Sequence, residues 1–165
     1  MPATRNETGA DWPDLAGRIV GQEHVLPVRV YYEDTDFSGV VYHANYLKFC
    51  ERGRSDWLRL LGLHHSALFT AGDDGDRLAF AVRRMEADFL GPAHIDDVLE
   101  VRTRLVGLSG ARLDLAQQVW RGEMELFRAR TTIVMIDGAG RPKRLPSGLK
   151  SLVSPMLDRS GGAIR

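Results

Sequence analysis

One long helix pattern followed by four strand patterns most narrows what this chain can fold into. From Ala44 to Leu61, the residues Tyr46, Cys50, Gly53, Trp57, Leu60 and Leu61 recur at spacings of three and four. Lys48, Glu51, Arg52, Asp56 and Arg59 take the other side, where Arg52 and Asp56, four apart, are expected to pair. Gly62 supplies the stop. Gly53 sits inside the apolar stripe at a cost of about 1 kcal/mol against alanine, a cost that makes sense where the helix must come close to a sheet. Downstream, Phe80 to Leu90, Val98 to Val106, Ala111 to Trp120 and Leu126 to Ile136 read as strands. The second alternates cleanly, Leu99, Val101, Thr103 and Leu105 against Glu100, Arg102 and Arg104. Short gaps containing glycine lie between them, so an antiparallel meander is expected. A helix of about five turns covers that much sheet only if the sheet curls around it. The expected fold class is α+β, a curved antiparallel sheet of about five strands wrapped on one central helix.

The bulk properties restrict the rest. At 165 residues and 44% hydrophobic content, the chain fits one domain with a real core. Lys plus Arg and Asp plus Glu both number 22, so nothing in the charge balance calls for nucleic acid or an anionic membrane. Cys50 is the single cysteine, which excludes an intrachain disulfide and fits core filler in a reducing compartment. Met1 to Trp12 lacks an apolar signal core and no run approaches the ~20 apolar residues of a membrane span; a cytoplasmic location is expected. Residues 1–23 read as a flexible N-terminal extension, 24–153 as the domain and 154–165 as a C-terminal tail. Val25 to Glu33 reads as a first strand, and 146–153 as one further helical turn.

The chemistry concentrates between that first strand and the helix. Glu33-Asp34-Thr35-Asp36 places three carboxylates in a turn, followed by Gly39 and the apolar Val40-Val41-Tyr42. Acidic turns before helices are commonly caps. Here the apolar neighbours set the turn against a greasy groove, where a carboxylate can act as nucleophile or general base toward a polarised carbonyl. The first backbone N–H groups of the helix, near His43, Ala44 and Asn45, are placed to receive a developing oxyanion. His64 and His65 lie in sequence near Asp73, Asp74 and Asp76, but adjacent histidines point apart, so no metal site and no cofactor are expected. Arg141-Pro142-Lys143-Arg144 is a basic turn that is solvated by default; Lys143 and Arg144 are candidates for gripping ligand phosphates.

The stretch Val28-Arg29-Val30-Tyr31-Tyr32-Glu33-Asp34-Thr35-Asp36, then Gly39-Val40-Val41-Tyr42-His43-Ala44-Asn45-Tyr46-Leu47, resembles the hotdog-fold acyl-CoA thioesterases of the tol-pal-associated YbgC type, relatives of 4-hydroxybenzoyl-CoA thioesterase. Phe49-x-Glu51-Arg52, Met85-x-x-Asp88-Phe89-x-x-Pro92-Ala93, Asp96-Asp97, Arg141-Pro142 and Pro146 extend the match over about residues 24 to 150. The resemblance implies hydrolysis of an acyl-CoA to a carboxylic acid and free CoA. It puts the catalytic carboxylate on Asp36 and substrate contacts on Tyr42, His43 and Asn45, with Asn45 holding the loop. Phe37-Ser38 departs from the small residues expected before Gly39, which makes Phe37 a determinant of the acyl pocket. The resemblance further implies a homo-oligomer, a dimer or a homotetramer, with sites at the subunit boundary, and protein partners in envelope or lipid metabolism. Two readings compete on the same fold. A dehydratase or hydratase needs a differently placed histidine with an acidic partner on the helix, and a non-catalytic scaffold of an envelope or lipid-synthesis complex needs no active Asp36.

Overall fold

The computed structural model describes residues 4–5, 11–12, 15–68 and 77–160. Strands β1 (Thr4–Arg5) and β2 (Asp11–Trp12) form a small ladder of their own. The main sheet holds β3 (Arg18–Val20), β4 (Glu23–Arg29), β5 (Ala79–Phe89), β6 (Val98–Ser109), β7 (Arg112–Arg121) and β8 (Met124–Ile136), in the spatial order β3-β4-β6-β7-β8-β5. Every pairing in it is antiparallel. Helix α1 (His43–Leu60) packs on one face, and two short helices follow, α2 (His65–Leu68) and α3 (Ser147–Val153).

Alternation in the strands decides which face meets the helix. Leu99, Val101, Thr103 and Leu105 of β6, Leu113, Leu115, Gln117 and Val119 of β7, and Phe127, Ala129, Thr131, Ile133 and Met135 of β8 are buried. Around the first half of α1 they enclose Tyr46, Phe49 and Cys50, and around its second half Trp57 and Leu58. Gly53 stands between these two clusters. A Cβ there would lie 2.9 Å from Val101 Cγ1 and 3.2 Å from Thr103 Oγ1, so only glycine lets the helix come this close. Gln117 fills the same gap, donating from Nε2 to the Cys50 carbonyl and to Thr103 Oγ1, each at 2.9 Å. Cys50 is fully buried, which pushes its thiol pKa up to about 12.

Several expectations change. The first strand stops at Arg29, and Tyr32–Asp34 forms a 3-10 turn, because Asp34 folds back to accept the Tyr31 amide. Only β6, β7 and β8 make a meander. β5 pairs with β8 at the opposite edge, so Leu90–Asp97 crosses the end of the sheet instead of closing a hairpin. That crossing is held by Val41, whose amide donates to the Ala93 carbonyl at 2.8 Å. Asp56 does not pair with Arg52. It turns inward to His24 and Arg59, while Arg52 lies over the Phe49 ring at 5.7 Å.

The domain also reaches past the expected boundaries. β3 lies within the supposed extension, yet its Arg18 pairs with Val25 and its Val20 with Glu23. In the supposed tail, Met156 is buried, Leu157 packs on the second cluster, and the Asp158 amide donates to the Leu105 carbonyl at 2.8 Å. At the C-terminal margin apolar side chains cover the core, whereas β3 is joined by backbone pairing with its Ile19 and Val20 exposed. His64 is exposed; the His65 side chain and Asp73, Asp74 and Asp76 lie outside the described residues. Among the described residues, no helix is long and apolar enough to cross a membrane.

Candidate active site

The turn before α1 is built around a single carbonyl. Asp34 is buried; its C=O accepts the Tyr42 amide at 2.9 Å and the Asn45 side-chain amide at 2.8 Å, while its carboxylate accepts the Tyr31 amide at 2.8 Å. Asn45 thus ties the turn to the helix, the task expected of it. Two residues on, the Asp36 amide donates to the Val40 carbonyl and the Gly39 amide to the Asp36 carbonyl, both at 3.0 Å. Gly39 closes this turn at φ +81°, a left-handed conformation that favours glycine. The backbone around Asp36 is therefore fixed on both sides.

The Asp36 side chain itself is exposed. Its Oδ1 accepts the Ser38 amide at 2.8 Å and the Ser38 hydroxyl. Those hydrogen bonds from Ser38, hydroxyl first, hold its pKa below the ordinary carboxylate value, with a smaller contribution from the nearby His43. Asp36 is accordingly an ionised carboxylate at neutral pH. Beside it α1 begins at His43 with Tyr42 as N-cap, and no side chain caps the first turn. The Asn45 amide, one of those expected to face an oxyanion, donates instead to the Tyr42 carbonyl at 2.8 Å, so the His43 and Ala44 amides are left to carry the positive end of the helix dipole. A carboxylate next to open helix amides combines a nucleophile or base with an electrophilic site for an oxyanion.

Aromatic rings form the floor. Tyr46 and Phe127 stack at 5.2 Å, Phe89 meets Phe127 edge-on at 5.1 Å, and the His43 ring lies 6.0 Å from Phe89 and 4.5 Å from Tyr42. The Tyr46 hydroxyl donates to the Gly91 carbonyl at 3.2 Å and accepts the Ala93 amide at 3.0 Å, fixing the crossing segment against α1. Tyr42 and Phe89 remain about half exposed, and Phe37 is fully exposed at 108%. The acidic turn is expected to lie against a greasy groove; within one chain Asp36 and Phe37 are instead exposed, and the aromatic patch lies at the neighbouring start of α1.

The structure brings Asp36, Phe37, Tyr42, His43 and Asn45 to one end of α1. Lys143 and Arg144 are elsewhere. The Lys143 amide donates to the Met135 carbonyl, and its Nζ lies 4.0 Å from Asp137. From Phe127 to Met135 the strand spans roughly 27 Å at about 3.4 Å per residue. Within one chain the basic turn and Asp36 stand at opposite ends of the sheet.

A family model described as the thioesterase-like superfamily matches residues 30–153. The chain belongs to the thioesterase-like superfamily. This thioesterase is 39% identical over 125 residues to the acyl-CoA thioester hydrolase YbgC of Escherichia coli O157:H7, covering 74% of this chain and 90% of that protein. Among solved structures, a probable thioesterase from Bartonella henselae superposes with a TM-score of 0.72 at 47% identity, covering 75% of this chain and 99% of the other. The 1,4-dihydroxy-2-naphthoyl-CoA thioesterase from Synechocystis superposes with a TM-score of 0.72 at 27% identity, covering 80% and 96%. The thioesterase has the hotdog fold, its curved sheet set against α1.

Two charged groups of the thioesterase were not singled out from the sequence. His24 on β4 is fully buried, and its Nε2 lies 2.8 Å from Asp56 Oδ2 on α1. This is a histidine with an acidic partner on the helix, the pair a dehydratase would need. Gly17 lies directly over it, since a Cβ there would collide with the Asp56 carboxylate. His24 is sealed from solvent, Asp56 reaches only the edge of a cavity it shares with Arg52, Arg59 and His64, and the pair fastens β4 to α1. The second group is Arg54, which lies on the buried side of α1 and donates from Nη1 to Gln117 Oε1 at 2.9 Å. The only signal in the sequence was position: Arg54 directly follows Gly53, and Asp56 comes three residues after it, next to the apolar stripe.

Proposed function

We propose that this thioesterase hydrolyses acyl-CoA thioesters, releasing a carboxylic acid and free CoA, with Asp36 as the catalytic carboxylate. The observation that carries this reading is an exposed, ionised Asp36 on a rigid turn beside the uncapped first amides of α1. The thioester carbonyl oxygen points at the amides near His43 and Ala44, which stabilise the negative charge that grows as the carbonyl is attacked. Asp36 either attacks the carbonyl carbon, expelling the CoA thiolate and leaving an anhydride that water opens, or takes a proton from the attacking water. Either route ends with a carboxylic acid and a thiol. The acyl body lies along Tyr42, His43 and Phe89, with Phe37 at the entrance.

A homo-oligomer in the cytoplasm completes the proposal. β5 is an edge strand of 11 residues with Val82 and Phe89 half exposed, a surface that suits pairing with a second copy. Lys143 and Arg144 act on CoA phosphates only across such a boundary, because in one chain they are too far from Asp36.

Thiol release from short-chain, aromatic and long-chain acyl-CoAs tests the function. Wild-type protein is expected to hydrolyse at least one class, and Asp36→Asn to lose about 100-fold or more in kcat/KM with its thermal unfolding unchanged, since the side chain is exposed. Full activity in that variant would remove Asp36 from the mechanism, and an inert wild type would remove the function. Single turnover in heavy-oxygen water separates the routes, because only attack by Asp36 allows solvent oxygen to enter its carboxylate.

A further inference from the structure

Asn45, Arg52 and Arg59 stand seven residues apart on α1, so they lie along one face of the helix. Asn45 holds the Asp34 carbonyl at 2.8 Å, which sets the Asp36 turn at the head of this row. Lys48, Arg52 and Arg59 are exposed along it, and Lys48 and Arg52 have no ion-pair partner among the described residues. Arg52 lies instead over the Phe49 ring at 5.7 Å. The acids nearby are engaged or turned away. Asp56 is taken by His24 and Arg59, and Glu51 lies beside Arg54 on the other flank of the helix, towards β5. In a chain of zero net charge, this face carries a local excess of positive charge.

The row ends in a cavity of about 410 Å³ between α1, β4 and the turn that follows α1. Arg52, Arg59, Ser55 and His64 line it with hydrogen-bond donors, Leu26 and Leu63 form an apolar wall, and Asp56 stands at its edge. It lies over β4, away from the β5 edge that suits a second copy. At ~30 Å³ per water the space equals about fourteen waters, room for a diphosphate with part of the group that carries it. We propose that this cavity binds the diphosphate of a nucleotide-type ligand, Arg52 and Arg59 gripping its oxygens while Ser55 and His64 add donors. A planar guanidinium matches phosphate oxygens in paired hydrogen bonds, and Arg59 keeps donors beyond the one given to Asp56.

Two sources supply such a group. One is a free nucleotide. The other, which rests on the proposed reaction, is the CoA of the thioester substrate, and the helix supplies the measure for it. From His43 to Arg52 α1 rises roughly 14 Å at about 1.5 Å per residue. The arm between the sulfur and the diphosphate of CoA is a chain with two amides, about as long as four extended residues, and spans roughly 14 Å. A thioester held at the first amides of α1 therefore brings its diphosphate to Arg52, the arm running along the exposed face past Lys48. The ribose phosphate, which lies beyond the diphosphate, is then left to Lys143 and Arg144 of a second copy.

Calorimetric titration with CoA, ADP and pantetheine, which has the arm without phosphate, tests the site. Wild type is expected to bind CoA or ADP about tenfold or more tightly than pantetheine. Arg52→Met, at an exposed position, is expected to weaken that ligand about fivefold or more and to leave pantetheine unchanged. Should this variant fold poorly, Ser55→Glu sets a carboxylate in the cavity and should weaken the same ligand. Binding of neither CoA nor ADP to wild type, pantetheine binding as tight as theirs, or undiminished binding by the folded variant overturns the proposal. The sources separate kinetically. A CoA source gives Arg52→Met a KM about fivefold or more higher for an acyl-CoA that the wild type hydrolyses, with kcat held and the matching acyl-pantetheine unaffected. A free-nucleotide source leaves both KM values in place and gives ADP the tighter binding. If no acyl-CoA is hydrolysed at all, the proposed reaction fails, and the titration still decides the site.

Discussion

The two ends of α1 treat ionisable groups in opposite ways. At the N-terminal end the backbone is pinned by Asn45, Tyr42 and Tyr46, while Asp36, Phe37, Tyr42 and His43 stay exposed. At the C-terminal end Trp57 and Leu58 are buried and His24 is sealed against Asp56 beneath Gly17. By residue type, a histidine joined to an aspartate looks more catalytic than a lone aspartate in a turn. Access reverses that ranking. The C-terminal end spends its charged pair on holding β4 to the helix, and the open end keeps a rigid carboxylate where a substrate can reach it.

Substitutions at each end should therefore separate stability from turnover. The largest effect on stability is expected from Trp57→Ala, which empties the second cluster and should cost about 3–5 kcal/mol in denaturant unfolding. The fraction that stays folded should keep its kcat, and a specific loss of kcat would mean that the two ends are coupled. Asn45→Ala should cost about 0.5–1.5 kcal/mol, because it removes one of the two donors to the buried Asp34 carbonyl and leaves the Tyr42 amide in place, and here kcat should fall as well, since the Asp36 turn loosens. Unchanged turnover would show that the turn is held well enough without Asn45.

Smaller effects come from pH. Burial lowers the His24 pKa below its ordinary 6.5, against the attraction of Asp56. The unfolded chain therefore takes up a proton on this residue before the folded one does. Stability from this group is fully present above pH 6.5 and drains as pH falls from there toward the lower folded value. Thermal unfolding midpoints should drop between neutral pH and pH 5, and His24→Gln should flatten that slope; an equal slope in the variant would assign the loss to other groups. The smallest expected change is in Ser38→Ala. Without its hydroxyl the Asp36 pKa should rise toward the ordinary 3.8, moving the acid limb of kcat/KM upward. A limb that stays in place would mean that the Ser38 amide alone sets it.

Much of this was legible before any coordinates. The spacing of Tyr46, Cys50, Gly53 and Trp57 identified the helix within one residue of its observed start and end, because a period of 3.6 over 18 residues has few alternatives. Gly53 announced the close approach of helix to sheet, since nothing else explains a glycine in an apolar stripe. The Asp-x-Asp turn was legible because local hydrogen bonds build it. The neighbours of β5 were not, because antiparallel strands carry no mark of which edge they join. Nor were the fates of Asp56 and Arg54, whose partners His24 and Gln117 are 32 and 63 residues away.

By itself, the sequence determined the elements and the local turn: periodicity selects a helix or a strand, and short-range hydrogen bonds shape the loop that presents Asp36. Tertiary structure alone decided which charges are buried, which end of α1 stays open, and that Lys143 and Arg144 stand far from Asp36. Burial and pairing depend on segments that meet only after the chain has folded. The same aspartate chemistry thus becomes a fastening at Asp56 and an exposed, ionised carboxylate at Asp36.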